Sequence, residues 1–128
     1  VTTTINTIDY VFVQGYMNGD GQIQMRCNST TKVQSMLYNK NGYETYIKSI
    51  TIKLAKTLTN NKLGLYVSDS ALDDSVTSLD SAFVCKNTSD STMKYENTGN
   101  NSTIKFFRIQ HLTTSTTAYI DSIIIELA

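Results

Sequence analysis

Proline and tryptophan are both absent from the sequence, histidine occurs once and cysteine twice. Without proline, every residue of an extended segment keeps an N–H to donate to a neighbouring strand. The single histidine, His111, cannot complete a catalytic triad or a Cys–His pair with any confidence of geometry, and Cys27, Cys85 and His111 are too few and too scattered for zinc. The six glycines are spread among turns, so no glycine-rich phosphate loop forms. Eleven basic and eleven acidic residues cancel, which leaves no long-range field to draw in nucleic acid or an anionic membrane. No run approaches the ~20 apolar residues that cross a bilayer as a helix. These absences point away from an enzyme and toward a binding or structural module.

What replaces charge is small, uncharged polarity: 13 Ser, 19 Thr and 11 Asn in 128 residues. A chain of this length buries enough surface for one core, so residues 1–128 are expected to form a single domain. The sequence starts at Val1, which suggests either a processed chain or an excerpt of a longer one; both fit the expectation of a secreted product at an extracellular, cell or virion surface. Cys27 and Cys85 are candidates for one disulfide in such a compartment, the other reading being two separate buried thiols. Asn28, Asn87, Asn100 and Asn101 each begin an Asn-X-Ser/Thr sequon and are candidate N-glycosylation sites.

The dominant hydrophobic period is two, the mark of half-buried strands. GQIQMRC places Ile23, Met25 and Cys27 on one face; KSITIKLAK does the same with Ile50, Ile52 and Leu54, and NKLGLYVS with Leu63, Leu65 and Val67. TIKFFRIQH carries apolar residues on both faces, which predicts a central strand. Tyr10, Phe12 and Tyr16 alternate in IDYVFVQGYM as core residues. Turn residues punctuate these runs at NGDG (18–21), NKNG (39–42), TNNK (59–62) and NTGNNS (97–102). Residues 69–82 read as a loop or short cap. The sum is an all-β chain, a single β-sandwich of eight or nine antiparallel strands. Its last segment, TAYIDSIIIEL, is apolar on both faces, and we expect it to lie beside the first strand with both faces covered.

The blocks GYETYIKSITIKL, KLGLYVSDSAL and FFRIQHLTTSTTAYIDSIIIEL, in that order over residues 43–128, resemble the jelly-roll, carbohydrate-binding-module-like β-sandwiches of secreted and surface proteins of bacteria and phages. The resemblance implies a jelly roll and a glycan ligand, although this chain lacks the tryptophan platforms of many sugar-binding members. Tyr38, Tyr43 and Tyr46 bracket the NKNG turn and are the candidate aromatic contacts for a glycan or a protein partner. Asp69, Asp73, Asp74 and Asp80 fall in one loop; a structural calcium at Asp69, Asp73 and Asp74 is the cofactor to look for, against solvated carboxylates that shape turns. Two functions are carried forward. The first is a structural or assembly module that binds itself or other surface proteins, with residues 1–16 as a strand-exchange segment. The second is a carbohydrate-binding module that works through the tyrosines.

Overall fold

The computed structural model describes residues 2–128 apart from 6, 57, 59–61, 89, 90 and 115. It is all-β, with strands β1 (Thr2–Ile5), β2 (Ile8–Val13), β3 (Gly15–Met17), β4 (Ile23–Met25), β5 (Met36–Asn39), β6 (Ile47–Leu54), β7 (Leu63–Ser68), β8 (Phe83–Lys86), β9 (Thr92–Glu96), β10 (Phe106–His111) and β11 (Ala118–Leu127). A 3-10 turn, Asp80–Ala82, precedes β8. The strands form two antiparallel sheets, one of six in the order β1-β2-β5-β10-β7-β8 and one of five in the order β3-β4-β11-β6-β9.

Eleven strands replace the eight or nine expected, and the reason is local. Thr7 and Gln14 take left-handed backbone (φ 67° and 52°), which separates β1 from β2 and divides the alternating stretch IDYVFVQGYM into β2 and β3. The cut at Gln14 also sends the chain from one sheet to the other, since β2 pairs with β1 and β5 while β3 pairs with β4. At that corner the ring of Phe12 lies where a Cβ on Gly15 would be, 2.2 Å away. The corner therefore requires glycine. It also undoes the expected core role of Tyr16, which is 39% exposed with the Arg26 guanidinium 3.7 Å from its ring centroid.

The period-two strands behave as their patterns dictate. Ile50, Ile52 and Leu54 of β6, Leu63 and Leu65 of β7 and Met25 of β4 are buried in one cluster to which both sheets contribute. Lys48 and Lys53 of β6 look outward. The two-faced strand β10 lies between β5 and β7, with Phe107 and Ile109 in the cluster. At about 25 cal/mol per Å² of apolar area removed from water, these side chains supply the main favourable term in folding.

The C-terminal strand corrects the expectation twice. It lies between β4 and β6, in the sheet that does not contain β1. Its two faces are not both covered either. Register shifts where Asp121 is passed over, between Ile120↔Leu54 and Ser122↔Lys53. One extra residue reverses the phase of alternation. Ala118 and Ile120 point into the core before the bulge, Ile123 and Ile125 pack against it after, and Ile124 is left 52% exposed. The expected TNNK turn falls at 59–62, of which 59–61 lie outside the described residues.

Candidate functional site

Partly exposed apolar side chains gather around the buried Phe107 on one side of the core. Tyr10 of β2, Leu37 of β5, Phe107 of β10 and Ile123 and Ile125 of β11 line a cavity of about 330 Å³. A second cavity of about 420 Å³ shares Tyr10 and Ile125 and opens among Thr7, Tyr43, Glu44 and Leu127. Both sheets contribute to the walls. Where the two cavities meet, the Tyr10 and Tyr43 hydroxyls lie 2.9 Å apart, and Tyr10 packs obliquely on Phe107 with ring centroids 6.3 Å apart. Burial, reinforced by the Tyr10 hydroxyl, pushes the Tyr43 phenol far above its ordinary pKa, so it is a neutral hydrogen-bonding group.

Beside this cleft runs an unfinished sheet edge. β4 pairs with Ala118–Ile120 of β11 and no further. The chain turns away at once through Asn18, whose side-chain oxygen accepts the N–H groups of Asp20 and Gln22. From Asp121 to Leu127, β11 has β6 on one side and, among the described residues, no strand on the other. A row of strand backbone groups left open in this way is a template for another strand.

The outer face of the six-stranded sheet carries the other concentration of polar chemistry. Tyr38, Arg108 and Tyr66 stand side by side on β5, β10 and β7. Arg108 is buried, and its Nη1 lies 3.4, 3.0 and 3.0 Å from the carbonyl oxygens of Leu72, Asp73 and Val76. It thereby pins the 69–82 loop, whose Leu72 and Ala82 form a small second cluster with Tyr66. Burial pulls the guanidinium pKa down; Tyr66, Tyr38, Asp74 and Asp73 act against that. The aspartates singled out for calcium do not converge: among the described residues no group of three or more His, Cys, Asp or Glu is placed to hold a metal ion. The loop gives its carbonyls to a cation the chain supplies. Asp73 takes up the Ser75 N–H and hydroxyl, which hold its carboxyl below the usual range, and Asp69, Asp74 and Asp80 are exposed.

Neither a family model, nor a curated protein, nor a solved structure matches this chain. The site therefore rests on its own geometry.

The tyrosines do not form a platform. Tyr38 and Tyr43 are each 5% exposed, the first beside Arg108 and the second under the cleft, while Tyr46 is half-buried and accepts the Ala128 N–H on its carbonyl. Lys40 and Asn41 of the NKNG turn are exposed, while Asn39 and the flanking Tyr38 and Tyr43 rings are buried beneath them. The cysteines are both free. Cys27 lies just past β4 and Cys85 sits on β8, the outer strand of the other sheet, and burial pushes the Cys85 thiol up, toward the unreactive form. Of the sequons, Asn87 is 1% exposed and its side chain accepts the Lys62 and Leu63 N–H groups while donating to the Leu58 and Thr88 carbonyls. A glycan there is incompatible with the fold. Asn28 is half-buried and caps a turn at Thr30 and Thr31; Asn100 and Asn101 are exposed. His111 is buried with Nε2 against the Thr116 carbonyl, and burial lowers its pKa.

Three residues that matter were not singled out by sequence reasoning: Arg108, Asn39 and Ser35. Asn39 is buried and stitches β5 to β10, accepting the Phe107 N–H and donating to the Lys105 carbonyl. Ser35 accepts the Arg26 N–H and donates to the Gln14 carbonyl. The one available signal was a charged or amide side chain within an otherwise apolar strand pattern, as at Arg108 in FFRIQ.

Proposed function

We propose that this chain is a non-enzymatic, extracellular structural module, a jelly-roll-like β-sandwich that works by associating with itself or with other surface proteins. The observation that carries the reading is the open edge of β11 from Asp121 to Leu127 beside a cleft of half-buried apolar side chains. Two costs are left standing in the isolated chain: backbone groups without a strand partner and apolar surface without cover. An added strand would relieve both. The polar chemistry elsewhere is spent inside the fold, with Arg108 on loop carbonyls and His111 on Thr116. The N-terminal segment pairs as β1 with β2 of its own chain, so it is not the strand this edge awaits in the present arrangement.

The alternative, glycan binding through Tyr38, Tyr43 and Tyr46, loses support from the burial of the first two rings. Light scattering behind size exclusion over a concentration series, with electron microscopy of the same fractions, tests the choice. A mass that rises with concentration supports assembly. One chain's mass throughout, together with retention on a glycan matrix, would replace this reading with the second.

A further inference from the structure

Resting on that reading, we infer that the open edge of β11 is completed by the same edge of a second copy, the two strands running antiparallel about a two-fold axis at Ile124. A two-fold contact brings one patch against itself, so the segment must be compatible with its own reverse. Antiparallel neighbours put facing residues on the same side of the sheet. Ile123 and Ile125, which pack against the core, must therefore face inward-pointing residues, and this restricts the pairing to registers in which odd positions meet odd ones.

Among these, the register centred on Ile124 uses the whole open segment. It sets Ile123 against Ile125 of the other copy, Ile124 against Ile124, Ser122 against Glu126 and Asp121 against Leu127. No like charges face each other. Shifting by one residue would set the inward isoleucines opposite outward positions, and in one direction would also oppose Asp121 to Glu126. Centring on Ile123 would run Glu126 into Ile120, whose edge β4 already occupies. Centring on Ile125 keeps parity and charge but pairs only Ile123–Leu127, so the register on Ile124 is the one that fills the whole open segment. The partner's Ile123 and Ile125 would enter the cleft lined by Tyr10, Leu37 and Phe107, and the exposed Ile124 pair would cover itself on the outer face.

The segment is also unguarded. Edge strands commonly carry lysine or proline that repels a visitor. The outer strand β9 has exposed Lys94 and Glu96, joined at 2.6 Å, and β8 ends on exposed Lys86. The centre of the β11 edge is three isoleucines; of the two carboxylates in the open segment, Asp121 lies at its start and Glu126 has Lys48 of its own chain 3.6 Å away.

The test compares the unmodified chain with Ile124→Lys and Ile124→Cys. Ile124 is half exposed and points away from the core, so both variants retain the fold, checked by thermal melting. Ile124→Lys opposes two positive charges at the axis and should weaken association at least tenfold in light scattering. Ile124→Cys should give a covalent dimer on a non-reducing gel under mild oxidation, whereas Thr51→Cys, one strand inward opposite Ile124, should not. If the unmodified chain associates but Ile124→Lys associates equally and Ile124→Cys cross-links no faster than Thr51→Cys, this edge is overturned while self-association stands. One chain's mass for the unmodified protein at every concentration overturns both.

Discussion

The two sides of the core are built from the same residue types and end in different states. On one side Ile50 and Ile52 of β6 and Leu63 and Leu65 of β7 are fully buried. On the other, Leu37, Ile123 and Ile125 pack against the same cluster and stay partly exposed. Hydrophobicity does not separate them; neighbouring strands do. β6 has β11 on one flank and β9 on the other along most of its length, whereas β11 loses β4 after Ile120. An apolar face in a sheet is covered only when both the flank and the opposite layer are filled, and here one flank stops short.

The strongest way to break the comparison is to remove the strand that serves both sides. A chain ending at Ala118 loses nearly all of β11, the middle strand of its sheet, and is expected not to fold; a cooperative melt at the original temperature would contradict the role given to this strand. Ile52→Ala, on the closed side, is expected to cost about 2–5 kcal/mol in urea unfolding, because the cavity left among fixed neighbours cannot collapse. Ile123→Ala under conditions that keep the protein monomeric should cost roughly 1 kcal/mol, since less apolar area leaves water in the first place. Equal losses at the two sites would erase the distinction.

Arg108→Ala probes the other polar–apolar boundary, outside the main core. It withdraws the hydrogen bonds to the Leu72, Asp73 and Val76 carbonyls and should destabilise by about 1.5–3 kcal/mol, with proteolytic cleavage in residues 69–82 appearing before any change in the main core. Uniform protection of that loop would deny the pinning role. The smallest effect belongs to pH. His111 has its pKa lowered by burial, so the folded chain favours the neutral ring while the unfolded chain protonates near the ordinary value of 6.5. Stability from this group is present above that value and falls as the pH drops below it, toward the lowered folded pKa. Denaturation midpoints of the native chain between pH 7.5 and 5.5 should decline, and His111→Gln should flatten the decline.

Much of the fold was legible because β6 and β7 obey alternation without interruption. Ile50, Ile52 and Leu54 were assigned inward from KSITIKLAK, and the two-faced pattern of FFRIQ pointed to the central place that β10 holds. Most of the short strands were not legible, since three or four residues carry too little period to distinguish strand from turn; β4 is the exception, because the alternation of GQIQMRC runs past both its ends. The aspartate loop and the tyrosines misled for a related reason. Residue type suggested calcium ligands and stacking rings, but Arg108 on a distant strand took the loop's carbonyls, and the rings of Tyr38 and Tyr43 were drawn under the chain.

The sequence by itself determined that the chain is all-β and which faces of β4, β6 and β7 turn inward, because alternation of apolar and polar residues leaves an extended strand no other face to bury. Only the tertiary structure decided where β11 lies, that the bulge at Asp121 reverses its inner face, and that β4 covers it for three residue pairs and then leaves. Those outcomes depend on strand neighbours distant in sequence, and a pattern read along one strand contains no information about what stands beside it.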